Sequence, residues 1–353
     1  MGEASGRPRR QEQETASSEV TEVAPGVLRS QLPISLPGLG HVNCYLLADD
    51  RGVAVVDPGL PGPQSWRALV DRLKQAGYKP KHVHTVIVTH SHPDHFGGAG
   101  RLRDVHGAEV VSHRSFRTWF DPAEDDNAVD ADGEPLPAPS RPWGGELPWR
   151  DGATLRPPLD RRLKYRLGRT LLRRFMRTPR PTRRLDDAEV IELAGREWVA
   201  VHTPGHTIDH LCLYDPVEGV VLSGDHVLPT ITPHISGLVG DHDPLAEFFA
   251  SLEKVAALDG VRRVLPAHGH PFEDLAGRAA AIREHHEERL QTLRDAAAEL
   301  GTATVEELSQ RLFRPRSWGP MAESETYAHL EHLRINGEAD VRKEAGALRY
   351  RLT

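Results

Sequence analysis

At 353 residues the chain is long enough for about two domains, and 38% hydrophobic with 27% charged residues excludes fibrous and collagen-like classes. A formal net charge of −7 argues against a dedicated nucleic-acid binder. Two cysteines, Cys44 and Cys212, against twenty histidines exclude a disulfide framework and a thiolate zinc ribbon. Any metal site must therefore be built from histidine and carboxylate.

Residues 1–18 are charged with no apolar run, so they read as a disordered tail rather than a signal peptide. No stretch reaches the roughly 18 apolar residues of a membrane helix, and the expected location is cytoplasmic. From residue 19, short apolar runs alternate with helical patterns. Val53–Asp57 is a buried strand, and Ser65–Gly77 a helix with Trp66, Leu69, Val70 and Leu73 on one face. Val83–Thr89 is the next strand, followed by a helix to His106 and a strand at Glu109–Ser112. After an insertion at about 114–186 come strands at Trp198–Val201, Leu211–Tyr214, Val220–Leu222 and Arg263–Leu265. Helices at Pro244–Leu258 and Asp274–Leu300 complete an α/β layered pattern. Sites in such folds lie at strand carboxyl ends.

One such end reads VIVTHSHPDHFGG and supplies His90, His92, Asp94 and His95. His90 and His92 are two apart in an extended segment, so both imidazoles face one ion. Asp94 and His95 follow the turn and can face a second. These are the ligands zinc accepts where thiolate is absent. The same character recurs at Asp57, at His206 in TPGHT with His210 four residues on, at Asp225 in SGD, and at His268 in PAHG. Cys44 and Cys212 sit in apolar runs and read as core. His210, His226 and His234 are either pocket-lining or hydrogen-bonded structural histidines, with His234 a substrate-side candidate. His285 and His286, on a charged helix, read as exposed.

The HxHxDH run at His90–His95, with later His206, Asp225 and His268 and early Asp57, resembles the ordered signature of the metallo-β-lactamase superfamily across about residues 19–276. The resemblance implies an αββα sandwich with two zinc ions per chain, iron or manganese being alternatives. It implies His90, His92 and His206 on one ion, Asp94, His95 and His268 on the other, and Asp225 bridging. Asp57 would orient ligands from behind, with His210 as a second residue of that kind. Asp94 and Asp225 are also the candidate proton acceptors. The absence of a cysteine ligand is similar to the glyoxalase II and RNase Z side of the superfamily. A two-ion site activates water at neutral pH, so the expected reaction is hydrolysis.

Substrate hints come from the insertion. It opens acidic, from Asp121 through Glu134, and turns basic over residues 161–184, with eleven Lys or Arg and no carboxylate. Leu163, Leu167, Leu171 and Phe175 recur every four residues, which predicts a basic amphipathic helix. It reads either as a surface or interface helix, in a homodimer for example, or as a lid whose Arg173 and Arg174 receive an anionic substrate. Residues 277–353 read as a separate module. Helices at Thr304–Leu312 and Glu323–Ile335 and a hairpin at Ala339–Lys343 and Ala347–Leu352 resemble a winged helix. Glu323, Glu325 and Glu331 on its second helix argue against DNA. The expected activity is hydrolysis of a small thioester or related acyl ester on an anionic carrier. The alternatives are an endoribonuclease or phosphodiesterase acting on RNA, and a non-catalytic metal-binding scaffold.

Overall fold

A computed structural model describes residues 10–118, 134, 146–154, 177, 179–238 and 243–353. Strands β1 (Val20–Ala24), β2 (Val27–Leu36), β3 (Leu39–Asp49) and β4 (Gly52–Val56) form an antiparallel meander. Helix α1 (Pro63–Gln75) leads to β5 (Val83–Ile87). The short α2 (Pro93–Phe96) and α3 (Ala99–His106) lead to β6 (Glu109–His113). Both β5 and β6 pair in parallel, as helical crossovers require. Within the insertion lie β7 (Glu146–Leu147) and β8 (Arg150–Thr154); β9 (Arg183–Leu185) closes it and returns to β6, completing a seven-stranded sheet.

The second sheet has five strands: β10 (Val190–Leu193), β11 (Arg196–His202), β12 (Leu211–Asp215), β13 (Val220–Gly224) and β14 (Arg263–Pro266). Helix α4 (Pro244–Ala256) forms the crossover between β13 and β14. After them, α5 (Leu275–Leu300), β15 (Ala303–Thr304), α6 (Val305–Leu312), α7 (Pro320–Ile335), β16 (Ala339–Glu344) and β17 (Ala347–Leu352) finish the chain.

Period-two alternation assigns each strand face. On β4, Ala54 and Val56 point between the sheets, meeting Trp198, Leu213 and Leu222; Val53 and Val55 point out to Leu69 of α1 and Leu102 of α3. On β12 and β13, Cys212 and Val221 point away from the first sheet toward Phe248 of α4 and Ile282 of α5. The result is helix–sheet–sheet–helix layering, as the sequence suggests. Each fully buried Leu, Val or Ile contributes roughly 1.5–3 kcal/mol to this packing. Cys44 and Cys212 are both buried, as expected of core residues.

Four readings change. Residues 10–18 are no free tail. Glu12 is fully buried in a 3-10 turn at Gln11–Gln13, and Arg72 donates to the Ser17 carbonyl at 3.0 Å. The predicted basic helix lies mostly outside the described residues, with Arg173 and Arg174; its described end is strand β9, not helix. His286 is buried rather than exposed, because Leu275, Ala279, Ile282, His286, Leu290 and Leu293 form one apolar stripe along α5.

Finally, the boundary drawn at residue 277 falls inside the first turn of α5, which is a single 26-residue helix. One hydrophobic cluster runs from Val201 and Phe248 through Leu290 to Leu308, Leu333 and Tyr350, so the last helices share the second sheet's core. The insertion joins them too: β8 pairs with β17, giving a small sheet in the order β15-β17-β8-β7, with β16 on β17. Among the described residues, no helix is long and apolar enough to cross a membrane.

Candidate metal centre

Every candidate ligand follows the carboxyl end of a strand: His90–His95 after β5, His206 after β11, Asp225 after β13 and His268 after β14. Two sharp backbone approaches make this convergence feasible. Gly205 has φ +127°, and a Cβ there would lie 2.5 Å from the Phe248 Cα. Gly224 has φ +51°, and a Cβ there would lie 2.5 Å from His210 Nε2. Only glycine fits either place.

The side chains gather into two groups, in each of which the ligand atoms lie within 4.8 Å of one another: His90, His92, His206 and Asp225, and Asp94, His95 and His268. His92 Nδ1 stands 3.1 Å from both His90 Nε2 and His206 Nε2. Asp225 faces both groups. Its Oδ2 is 3.7 Å from His90 Nε2 and from His206 Nε2 and 3.5 Å from His95 Nε2, while its Oδ1 is 3.3 Å from His268 Nε2. Asp94 Oδ2 lies 3.7 Å from His95 Nε2 and 3.5 Å from His268 Nε2.

The outward-facing nitrogens are committed elsewhere, which fixes the tautomers. His95 Nδ1 donates to Asp57 Oδ2 at 2.9 Å, His206 Nδ1 to the His234 carbonyl at 2.8 Å, and His268 Nδ1 to the His41 carbonyl at 2.6 Å. Each of these rings therefore turns its Nε2 inward. Asp57 also accepts from Thr89 N at 2.9 Å and Thr89 Oγ1 at 2.8 Å, from a left-handed backbone with φ 53°. His210 is not a ligand: its Nε2 accepts from the Asp225 backbone N–H at 3.0 Å and its Nδ1 donates to Thr203 Oγ1 at 2.7 Å, setting where Asp225 begins.

Buried but without a hydrogen-bond partner among the described residues, His95 Nε2, His268 Nε2 and Asp225 Oδ1 all turn toward the same space. Orphaned donor-set atoms of this kind fit a divalent cation better than a proton network, and nitrogen and oxygen are ligands zinc accepts. The electrostatics agree. Burial holds His90, His92 and His206 below their ordinary pKa, His92 at about 3, so they stay neutral and basic at their lone pairs. Against the pull of burial, the Asp225 and Asp94 carboxylates raise His268 to about 10 and His95 well above its usual value. Against burial likewise, His95 and His268 hold Asp94 at about 2. The cluster attracts positive charge at its centre.

Sequence reasoning missed one cradle. On β3, His41, Asn43 and Tyr45 alternate onto one face and hold the loop that carries His268. Asn43 Nδ2 donates to the Pro266 and Gly269 carbonyls at 2.8 and 2.9 Å, Tyr45 Oη donates to Pro266 O at 2.7 Å, and Gly269 N–H donates to His41 Nε2 at 3.2 Å. Three polar residues at i, i+2 and i+4 in an otherwise apolar strand were the available signal. His226 is buried against Phe248, ring centroids 5.0 Å apart, and plays no part in the ligand groups.

Asp209 bears on pH dependence. It is buried and accepts from Ser91 Oγ at 3.0 Å, between the His90 and His92 ligands. Burial pushes its carboxyl up from 3.8 to about 7. The folded state thus binds this proton more tightly than the unfolded chain. The resulting stability is full below about pH 4 and is lost as pH rises to 7. Asp209→Asn is therefore expected to stabilise the fold more at pH 8 than at pH 5, by about 2–3 kcal/mol from the shift alone. Urea unfolding at the two pH values measures it, and an equal effect at both would contradict this account.

Known proteins share this fold. A family model described as "Metallo-beta-lactamase superfamily" matches residues 37–268. A "Lactamase-like protein vrtG" from Penicillium aethiopicum is 39% identical over 119 residues, 34% of this chain and only 36% of that protein. A hydroxyacylglutathione hydrolase of Albidiferax ferrireducens is 26% identical over 69% of this chain and 68% of its own length. An acyl-coenzyme A thioesterase of Gallus gallus, MBLAC2, is 26% identical over 66% and 74%. Among solved structures, the metallo-beta-lactamase family protein TTHA1429 of Thermus thermophilus superposes with a TM-score of 0.70 at 29% identity, covering 94% of this chain and 100% of that one.

Proposed function

Since this chain belongs to the metallo-β-lactamase superfamily, we propose that it is a dinuclear zinc hydrolase of thioesters or related acyl esters on an anionic carrier. The carrying observation is the double ligand group bridged by Asp225, with its inward-facing orphaned atoms. His90, His92, His206 and Asp225 would hold one ion, and Asp94, His95, His268 and Asp225 the other. Divalent ions held by these residues would lower the pKa of water toward neutrality and lend Lewis-acid chemistry to an acyl substrate. The chain's own residues do the rest. Asp57 and the His41 and His234 carbonyls keep the imidazoles in the metal-ready tautomer, and burial of the rings excludes competing water. Asp94 and Asp225, the carboxylates within the two ligand groups, are the candidate acceptors of the proton released by the attacking water.

The thioester reading is supported by the all-histidine and aspartate ligand set and by the two relatives whose printed names are thioester hydrolases. Cleavage of RNA is the second reading, resting on the basic run and on the helix–strand–helix–helix–hairpin order of residues 275–352, which resembles a winged helix. Against it, the glutamates of α7 are engaged by partners within the chain. Glu323 accepts from Trp149 Nε1, Glu325 pairs with Arg289, and Glu331 accepts from Arg334 and Tyr350. Against a scaffold that has lost catalysis stands the full set of seven candidate ligands, some of which a drifting site would be expected to lose. Purified protein assayed side by side with acyl-coenzyme A, acyl-glutathione, a lactone and single-stranded RNA is expected to turn over a thioester at least about 100-fold faster than the others, with His206→Ala inactive. Cleavage of RNA alone would overturn the substrate class.

A further inference from the structure

Three parts of the chain remote in sequence hold residues 226–238, the segment after Asp225. Glu12 accepts from Thr230 N at 2.9 Å and Ile231 N at 3.2 Å, and also bonds Thr230 Oγ1. Arg278, on α5, donates to the Leu228 and Ile231 carbonyls at 2.7 Å each. The third hold comes from α7, where the Ser324 carbonyl and hydroxyl both accept from Gly237 N–H at 3.2 Å. A Cβ on Gly237 would meet Tyr327 Cδ1 at 2.6 Å and Ser324 O at 2.8 Å, so the segment lies directly on the helix.

Within that segment His234 is bonded in two directions. Its carbonyl accepts from His206 Nδ1 at 2.8 Å, and its own ring Nδ1 lies 3.2 Å from Glu325 Oε2. Glu325 is buried, ion-paired with Arg289 through its other oxygen, and held at about 2 by His234 and Arg289 against the opposing effect of burial. A charged acceptor makes the stronger bond. Ring and carbonyl belong to one residue, so fixing the ring fixes the peptide that orients His206.

We propose that Glu325 is a positioning residue for the His206 ligand, acting through His234, so that the C-terminal helices complete a metal centre to which they contribute no ligand. His234, expected from sequence to meet substrate, serves in this account as the link. Loss of the link frees the His234 peptide, and with it the tautomer and aim of His206, while His95 and His268 keep their own acceptors at Asp57 and His41.

The test is a cobalt(II) titration of the metal-free full-length chain, read by visible absorption and chelator competition, with His268→Ala identifying the signal of the His90/His92/His206 ion. His234→Ala and Glu325→Ala are expected to weaken that ion 10–100-fold and leave the Asp94/His95/His268 ion within about twofold. Glu325→Ala strands Arg289 and can fail to fold; His234→Ala removes the link without stranding a charge and keeps the test decisive. Equal weakening of both ions, or no weakening, in His234→Ala would overturn the proposal. It rests on the two-ion reading above, and the two fail differently. Wild-type protein binding fewer than two ions sinks that reading; two ions bound alike by wild type and His234→Ala sinks only this one.

Discussion

On the two-ion thioesterase reading proposed above, replacing Asp225 with alanine is expected to lower hydrolysis by at least about 10³-fold and to drop bound metal from two ions to fewer than one per chain. Asp225 faces both ligand groups, with one oxygen within 3.7 Å of His90, His95 and His206 and the other 3.3 Å from His268. Its removal takes a ligand from each ion and a negative charge from between them. Metal assistance supplies several kcal/mol of transition-state stabilisation, and each 1.36 kcal/mol is tenfold in rate. The fold itself should survive, because the Asp225 contact with His210 runs through the backbone N–H and remains in the variant. Asp225→Asn keeps shape without charge and should fall between the two. Metal analysis and thermal unfolding alongside the assay make the result decisive: a folded Asp225→Ala protein holding two ions and more than about a tenth of the activity would exclude a bridging role.

The candidate ligands stand out in the sequence because they fall just past the ends of apolar strands, four of them in one run, and strand ends converge in layered α/β folds. Asp57 and His210 could be singled out for the same reason, and His210 then found its role as the acceptor beneath Asp225. What the sequence concealed is what holds those ligands from a distance. Glu12 lies in a stretch whose composition suggests a tail, yet its carboxylate is buried against Thr230 and Ile231. Glu325 reads from sequence only as one of three glutamates that argue against DNA, yet it faces inward to His234 and Arg289. Local periodicity reports which face of an element is apolar; it carries no record of which remote charge meets a buried polar face. The boundary drawn at residue 277 lies within α5. A change in pattern suggested a module, whereas the apolar stripe of α5 continues one core from Leu275 to Leu293 and onward.

The sharpest counterpart to the His234 experiment is Asp57→Asn, because it should disturb the opposite ion. Asp57 gathers three donors in one buried carboxylate: Thr89 N–H, Thr89 Oγ1–H and His95 Nδ1–H, at 2.8–2.9 Å. Asp57→Ala strands all three and is expected to destabilise the fold by roughly 3–5 kcal/mol in urea unfolding, as when one partner of a buried charge-assisted network is removed. Asparagine is gentler on the fold and harsher on the metal. Its carbonyl can still accept from Thr89 N–H, and its amide can donate to Thr89 Oγ1, but the same amide then meets a His95 Nδ1 that also carries hydrogen. The ring relieves that clash by moving its proton to Nε2, the nitrogen that must bind metal. Asp57→Asn should therefore keep most of the stability while weakening the Asp94/His95/His268 ion 10–100-fold, leaving the His90/His92/His206 ion near wild type. Together with His234→Ala this gives two single substitutions, on opposite sides of the site, each expected to weaken one ion through tautomer control rather than ligand loss. If Asp57→Asn weakened both ions equally, the carboxylate would be holding the β4–β5 framework and not the His95 ring.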